Sequence, residues 1–215
     1  MRLPTLLLSA LLLFGLATGP AVAQESDWTT LFDGTDVNGW SHVGDGSFVL
    51  EDGVLRTRGG MGLLWYTSRT IGDAVLEVEY RAPDTSNAGV FIRIPEEPED
   101  PWMPVNRGYE VQIFAGGDAT HRTGVLYSLT EAKAEVGGGD GWNTLTVTLD
   151  GDRTMVHVND TLVTDYAEGD PVPEKEEDYE PDRGPRPAEG YIGLQNHGEG
   201  DTVYYRRVRV RPLDE

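Results

Sequence analysis

The sequence contains no cysteine. This absence excludes disulfide bonds and a lipid-modified N-terminal cysteine, whatever compartment the protein occupies. The folded chain must therefore be stabilised by burial of side chains alone, and a chain of 215 residues has enough interior for that.

Positive charge is also scarce. The chain has 17 Lys and Arg residues against 37 Asp and Glu, which gives a formal net charge of −20 at pH 7, and only Lys133 and Lys175 are lysines. Binding to nucleic acid depends on clustered Lys and Arg that displace counterions from the phosphates. The charge therefore excludes nucleic acid as a partner and disfavours anionic membrane surfaces.

Several catalytic motifs are missing as well. The sequence has no G-x-S-x-G elbow, no H-E-x-x-H, no phosphate-binding P-loop and no dinucleotide fingerprint. Its carboxylates would allow a divalent metal ion, but their spacing does not demand one. No cofactor is therefore required by the sequence, and the ligands of a metal are left undefined.

The first residues have the pattern of a cleavable export signal. Arg2 precedes an apolar run from Leu6 to Ala17, and the small residues Ala21 and Ala23 fit cleavage by signal peptidase. The run is shorter than the roughly twenty residues that cross a bilayer, so a retained membrane anchor is the less favoured alternative. We expect residues 1–23 to be removed. A single domain, residues 24–215, is then expected to be secreted or periplasmic, without contact to the membrane.

After the signal, apolar residues recur with a period of two in short runs bounded by Gly, Asp, Asn and Pro, and no stretch is typical of a helix. Asp-Gly pairs at 52–53 and 150–151 suit tight hairpins between antiparallel strands. Strands without helices to cover them must pack face to face, so we expect an all-β fold, a two-sheet antiparallel β-sandwich or jelly roll. Strands are predicted at 47–51, 54–57, 63–67, 74–81, 89–94, 109–114, 123–127, 144–149, 154–158, 191–195 and 202–210.

Two long segments, 95–106 and 170–189, interrupt this rhythm and are rich in proline and acidic residues. Both are predicted to be surface loops. Long loops in compact domains are often functional, although a solvated connection without a task is the alternative. Trp102, in the first loop, favours a function.

One face of the sheet is predicted to be polar and open. In 89–94, Val90, Ile92 and Ile94 are expected to point into the core, which turns Arg93 to the opposite side. The same alternation in 109–114 and 191–195 completes this face, which would be lined by Arg93, Glu110, Gln112, Gln195 and, just beyond the strand end, His197.

This set of side chains suits a carbohydrate. Sugar hydroxyls take paired hydrogen bonds from amides and charged groups, while the C–H faces of the ring pack on aromatic side chains. Flat walls are offered by Trp40, Trp65, Trp102 and Tyr127. The alternative is that the polar residues only solvate the outer face of an antiparallel sheet.

Six segments together resemble the 3-keto-disaccharide hydrolase domain family, over essentially all of the chain from about Trp28 to Pro212. They are LFDGTDVNGW (31–40), NAGVFIR (87–93), GYEVQI (108–113), TGVLYS (123–128), GWNTLTVTLDGDRTMVHVND (141–160) and GYIGLQNHGEGDTVYYRRVRV (190–210). The E-V-Q and L-Q-N-H-G elements are the most specific.

The resemblance implies a jelly roll similar to concanavalin-A-like lectins and glucanases, in exported proteins that act on 3-keto-glycosides. A ketone at C3 of a glucoside acidifies the proton on C2, so that a base can remove it and the group on C1 leaves by β-elimination. Water then adds to the enone. Such a reaction needs one base and groups that stabilise an enolate, whereas an ordinary glycosidase needs two carboxyl groups beside the bond.

The resemblance also implies roles for individual residues. Glu110 or His197 would be the general base and the other the acid to the leaving oxygen, with Arg93 stabilising the enolate. A divalent metal ion is an alternative to Arg93. The substrate would be held by Asn87, Gln112 and Gln195, with Trp65 or Tyr127 as the stacking wall. The family usually has Asn-Ser-Gly where this chain has Asn87-Ala88-Gly89, so a hydroxyl is missing at that position.

Three functions are compatible with these features. The first is an enzyme that cleaves 3-keto-glycosides or 3-keto-disaccharides, and the second is a non-catalytic carbohydrate-binding module on the same scaffold. The third is an adhesion or scaffold protein of the cell envelope, whose polar face meets another protein.

Overall fold

The structure is a computed structural model and describes residues 27–136 and 141–213. The export signal expected at residues 1–23 lies outside the described residues. Within the described ranges, no helix is long and apolar enough to cross a membrane.

The described chain forms thirteen strands and one short helix. The strands are β1 (Thr29–Phe32), β2 (Trp40–Gly44), β3 (Ser47–Glu51), β4 (Val54–Arg58), β5 (Gly62–Tyr66), β6 (Ala74–Arg81), β7 (Ala88–Ile94), β8 (Tyr109–Ile113), β9 (Asn143–Asp150), β10 (Arg153–Val158), β11 (Thr161–Ala167), β12 (Tyr191–Asn196) and β13 (Tyr204–Pro212), and helix α1 (Met103–Arg107) lies between β7 and β8.

These strands form two antiparallel sheets, which confirms the expected β-sandwich. The larger sheet has eight strands in the order β11-β10-β9-β6-β13-β4-β3, with β1 added beside β13. The smaller sheet has five strands in the order β2-β5-β12-β7-β8. Each sheet turns its apolar face inwards because alternate side chains on a strand point to opposite sides. One cluster of buried residues, contributed by both sheets, fills the space between them.

Tight turns fix the register of consecutive strands. Asp52 and Gly53 have φ of 50° and 77° and join β3 to β4, which confirms the hairpin predicted there. A second such turn, Asn159-Asp160, has φ of 48° and 66° and joins β10 to β11. Positive φ at both central residues matches the twist of the flanking strands, and Asn, Asp and Gly tolerate it best.

The outer face of the five-stranded sheet carries a second, smaller apolar cluster. Leu63 and Trp65 of β5, Phe91 and Ile94 of β7 and Val105 of α1 are buried together there. Just before helix α1, the Asp100 carboxylate accepts hydrogen bonds from the backbone N–H groups of Trp102 and Met103. This part of the outer face is therefore covered, and only its remainder is open.

The structure corrects the predicted elements at several points. Residues 123–127 are not a regular strand: Gly124 has φ of 90°, and the segment pairs with β8 only through an isolated bridge and scattered hydrogen bonds. Strands β1, β2 and β11 and helix α1 were not predicted from the sequence.

Candidate functional site

A cavity of about 280 Å³ opens on the outer face of the five-stranded sheet, beside the apolar cluster. Strands β8 and β12 supply its floor, and the segments around them supply its walls. It is lined by Asn87, Trp102, Val105, Glu110, Gln112, Tyr127, Tyr179, Gln195 and His197.

The floor carries the polar side chains that strand alternation predicts. Tyr109, Val111 and Ile113 are in the core between the sheets, so Glu110 and Gln112 face outwards. On β12, Leu194 lies in the core and Gln195 lines the cavity. Strands β7 and β12 pair directly and β7 also pairs with β8, which brings these residues to one place.

A glycine makes room for the Glu110 carboxyl group. Gly89 on β7 pairs with Gln112 of β8. A Cβ atom at Gly89 would lie 2.6 Å from both Cγ and Oε1 of Glu110. Because real Cβ contacts are longer than this, any larger residue at position 89 would have to displace the Glu110 side chain.

Glu110 is a buried carboxyl group with a strongly raised pKa. Its residue is 6 % exposed. Burial raises its pKa from 4.5 to about 8, and a hydrogen bond from the side chain of Gln195 opposes this shift only in part. Removal from water penalises the charged form of the carboxyl group, so Glu110 is mainly protonated at neutral pH.

Three amide oxygens of the cavity have no hydrogen-bond partner among the described residues. They are Oδ1 of Asn87 and Oε1 of Gln112 and Gln195, and all three atoms are buried. Gln112 and Gln195 are only 1 % and 2 % exposed. An unpaired buried acceptor costs about 1–3 kcal/mol, so these three oxygens are suited to accept hydrogen bonds from a ligand or from water in the cavity.

His197 is held at the rim by an acidic residue four positions later. Its Nδ1 lies 2.8 Å from Oδ2 of Asp201, and the side chain is 44 % exposed. The other oxygen of Asp201 accepts a hydrogen bond of 2.7 Å from the backbone N–H of Asn87. The Nδ1 contact fixes the orientation of the ring and leaves Nε2 as the nitrogen that can exchange a proton with a substrate.

Tyr127 forms part of the wall. Its backbone N–H bonds to the carbonyl of Glu110, and its ring lies 5.1 Å from the ring of His121. Burial raises the pKa of the Tyr127 hydroxyl to about 12, with a contribution from the charge of Glu110. The phenol therefore stays protonated and can donate a hydrogen bond.

The two long loops each place an aromatic side chain at the mouth. Trp102, offered by the sequence as a flat wall, lines the cavity and is 52 % exposed. Tyr179 in the second loop is 62 % exposed and was missed, because an aromatic residue in an acidic loop gives no periodic signal.

Arg93 is not among the residues that line this cavity, so the structure does not place it where the expected contact with an enolate would form. Its guanidinium donates to the backbone carbonyls of Pro187 and Gly151, at 3.1 and 2.8 Å. Arg93 has φ of 53°, which breaks the alternation of β7. Ile94, expected in the core, consequently lies in the outer apolar cluster.

Trp65 is also placed away from the cavity. It is 6 % exposed and packs edge-on against Tyr191, with ring centroids 5.1 Å apart. The apolar cluster with α1 covers its ring. Of the two stacking walls considered, the structure places only Tyr127 in the lining.

The site thus combines a protonated carboxyl, an oriented imidazole, a phenol and three amides, with aromatic rings at the mouth. Such a set can move protons and bind hydroxyl groups. Within residues 27–136 and 141–213, no group of three or more His, Asp or Glu side chains is arranged to hold a metal ion.

Comparison with known protein families identifies the family of this chain. The profile of a family described as the 3-keto-alpha-glucoside-1,2-lyase-like domain matches residues 27–211. The chain belongs to this family. The resemblance seen in the sequence is therefore confirmed, and membership of the 3-keto-alpha-glucoside-1,2-lyase-like family indicates a carbohydrate-related function. No curated protein matches the chain.

Solved structures share the fold at low identity. Two proteins of Parabacteroides distasonis ATCC 8503, each provisionally named a glycosyl hydrolase, have TM-scores of 0.70 and 0.69 and identities of 21% and 20%. The matches cover 86% and 90% of this chain and 99% of each of those chains. The carbohydrate-binding module CBM66 of Bacillus subtilis has a TM-score of 0.56 and 17% identity, over 80% of this chain and 95% of that one. These likenesses support the sandwich fold of the family.

Proposed function

We propose that this protein is an enzyme that cleaves 3-keto-glycosides, including 3-keto-disaccharides, by removing the proton on C2 and expelling the group on C1. The observation that carries the proposal is the pairing of a mainly protonated Glu110 with an oriented His197 in one cavity floored by unpaired amide oxygens. The family supplies the class of substrate. The amide oxygens of Asn87, Gln112 and Gln195 are suited to accept hydrogen bonds from sugar hydroxyls.

In this mechanism His197 is the general base. Its Nε2 takes the proton from C2, and the electron pair of the C–H bond forms the enolate across C2 and C3. Asp201 is a positioning residue, since it fixes the ring through Nδ1 and stabilises the imidazolium that forms.

Glu110 is the general acid. As the enolate collapses, C1 and C2 become doubly bonded, the C3 carbonyl is restored, and the C1–O bond breaks. The leaving oxygen receives the proton of Glu110, whose pKa of about 8 keeps that proton available at neutral pH. Water then adds its oxygen to C1 and a proton to C2, which gives the 3-keto-sugar.

The negative charge on the enolate oxygen needs hydrogen-bond donors. Since Arg93 is bonded elsewhere, the donors that line the cavity are the hydroxyl of Tyr127 and the amide N–H groups of Gln112 and Gln195. Preorganised donors of this kind stabilise a developing oxyanion.

The experiment that tests these roles compares two leaving groups. Purified protein is incubated with the methyl and the 4-nitrophenyl 3-keto-glucosides, and release of methanol and of nitrophenol is followed. Nitrophenolate leaves without a proton, whereas methoxide does not. Glu110→Gln should therefore lose about 100-fold or more on the methyl substrate and far less on the nitrophenyl one.

His197→Asn is the complementary variant, and it should lose activity on both substrates because C2 deprotonation precedes either departure. Equal losses on both substrates in Glu110→Gln would contradict the acid role of Glu110. Absence of release by the wild-type protein, with and without divalent ions, would refute the enzymatic proposal.

The second candidate function is a non-catalytic carbohydrate-binding module. It is favoured by the fold shared with the carbohydrate-binding module CBM66. Calorimetric binding of glycosides without release of an aglycone, together with unchanged binding in His197→Asn, would support it.

We further propose that the protein is secreted or periplasmic after cleavage behind Ala23. The basis is the charged, apolar and small-residue pattern of residues 1–23. N-terminal sequencing of the exported protein tests this, and a retained Met1 would contradict it.

A further inference from the structure

The cavity is small for the substrate class proposed above. Its volume of about 280 Å³ lies below the roughly 300–1,000 Å³ that is usual for sites enclosing drug-sized ligands. A single sugar ring is a suitable occupant, because Glu110 and the amides are at its floor. The second half of a disaccharide must then lie at the mouth.

Two exposed aromatic side chains stand at that mouth. Among the described residues, Trp102 and Tyr179 are the two aromatic side chains that are large and exposed, and both line the same cavity. They come from loops about 75 residues apart in the sequence, so their meeting is a product of the fold. Aromatic faces beside a sugar site are suited to pack against the C–H face of a second ring.

Tyr179 is held in place by an ion pair beside it, whose carboxylate is buried. The next residue, Glu180, is 5 % exposed and is bound at 3.0 Å by the guanidinium of Arg183. That guanidinium also donates to the backbone carbonyl of Ser128, at 3.2 Å, next to Tyr127. The anchor therefore fixes Tyr179 beside the wall of the cavity.

Trp102 is anchored independently, and the two loops are tied together. Its backbone N–H is bound by Asp100, and the end of α1 is bonded to the second loop. There, the carbonyl of Asn106 accepts hydrogen bonds from the backbone N–H of Asp182, at 3.2 Å, and from the guanidinium of Arg186, at 3.1 Å. Preorganised aromatic rings lose little conformational entropy when a ligand packs on them.

The negative charge of the two loops restricts the kind of leaving group that can bind at the mouth. Residues 95–106 contain four acidic and no basic residues, and residues 170–189 contain eight acidic and three basic residues. Two of those three, Arg183 and Arg186, are engaged with backbone carbonyls. A negatively charged leaving group would be repelled from such a mouth.

We propose that Trp102 and Tyr179 form a second subsite, which binds a neutral, ring-shaped leaving group such as the second hexose of a disaccharide. This inference rests on the proposed function for the identity of the group in the first subsite. It adds that the protein prefers 3-keto-disaccharides to small alkyl 3-keto-glucosides, and neutral leaving groups to acidic ones.

The test is a ratio of specificity constants. For the wild-type protein, kcat/KM is measured on a neutral 3-keto-disaccharide, on its uronic-acid counterpart and on methyl 3-keto-glucoside. Trp102→Ala and Tyr179→Ala should each lower the disaccharide-to-methyl ratio by about 3- to 10-fold, the worth of one aromatic contact. Tyr204→Ala, which removes an aromatic ring on the outer face of the other sheet, is the matched control and should keep the ratio.

The uronic-acid substrate should have a lower kcat/KM than the neutral 3-keto-disaccharide. This difference in kcat/KM should shrink as salt is added, because salt screens the charge of the loops. An unchanged ratio in both mouth variants, or a wild-type protein that cleaves the methyl and disaccharide substrates equally well, would overturn the subsite. If the wild-type protein cleaves no 3-keto substrate, the proposed function fails separately. The subsite is then tested by calorimetry with an unoxidised disaccharide and methyl glucoside, where equal affinities in the wild-type protein would overturn it.

Discussion

The buried carboxyl of Glu110 makes a quantitative prediction about stability. Its pKa is raised from 4.5 to about 8 by burial, so the folded protein holds this proton more tightly than the unfolded chain does. Unfolding between these two pH values releases the proton, and the free energy of unfolding therefore falls as the pH rises. A pKa difference of one corresponds to about 1.4 kcal/mol. Over the three pH units from 5 to 8, the loss is about 4 kcal/mol.

Glu110→Gln removes this titration while keeping the shape of the side chain. The free energy of unfolding of both proteins is measured in urea by fluorescence of the five tryptophans. The value for the wild-type protein should fall relative to that of the Glu110→Gln variant as the pH rises from 5 to 8. Glu51→Gln, at an exposed position of β3, is the control for the chemical change alone. If the difference between the wild-type protein and the Glu110→Gln variant stays constant within about 1 kcal/mol across this range, the cost assigned to ionised Glu110 is refuted.

Three further substitutions test neighbouring parts of the account. Asp201→Asn should lower kcat by about 100-fold with little change in KM, because misorientation of His197 affects the proton transfer more than binding; a change confined to KM would contradict the positioning role. Gly89→Ala should displace Glu110, lower activity and cost about 1–3 kcal/mol of stability, and unaltered activity would show that the carboxyl is free to move. Arg93→Ala should lower the free energy of unfolding by about 3 kcal/mol while turnover per folded molecule is retained. A selective loss of turnover would show instead that Arg93 takes part in the reaction.

The sandwich and most of its strands follow from local sequence patterns. Strands β3 and β6 have the predicted bounds. In β6, buried residues alternate with partly exposed ones from Leu76 to Arg81, as the sequence pattern predicts. Strand β11 was missed, although the Asn159-Asp160 turn before it is a hairpin signal of the same kind as Asp52-Gly53. Helix α1 was missed because five residues containing Pro104 carry no helical period.

The floor of the site was predictable for the same reason. Glu110, Gln112 and Gln195 reach the cavity because β8 and β12 are regular strands, in which alternate side chains point to opposite sides of the sheet. The predicted alternation was wrong at Arg93, where a positive φ interrupts the strand. The sequence gives no sign of this conformation, because arginine seldom adopts a positive φ. A pattern of alternation cannot reveal a conformation that tertiary contacts impose.

The mouth of the cavity could not be predicted beyond Trp102. Tyr179 reaches it because Glu180 and Arg183 anchor the second loop beside Ser128. The pKa of Glu110 likewise depends on a contact distant in sequence, because the hydrogen bond from Gln195 opposes the shift that burial causes. Contacts of this range are set by the packed structure and leave no local pattern.

The most direct test of the central claim is the fate of the hydrogen on C2. A 3-keto-glucoside carrying deuterium at C2 is incubated with the protein, and the released sugar is analysed by NMR at early times against a sample without protein. Elimination through His197 and Glu110 predicts that the aglycone appears together with loss of the label and with a primary isotope effect on its release. A sugar released with its deuterium retained, at an undiminished rate, would mean that the bond is hydrolysed directly at C1 and would contradict the account.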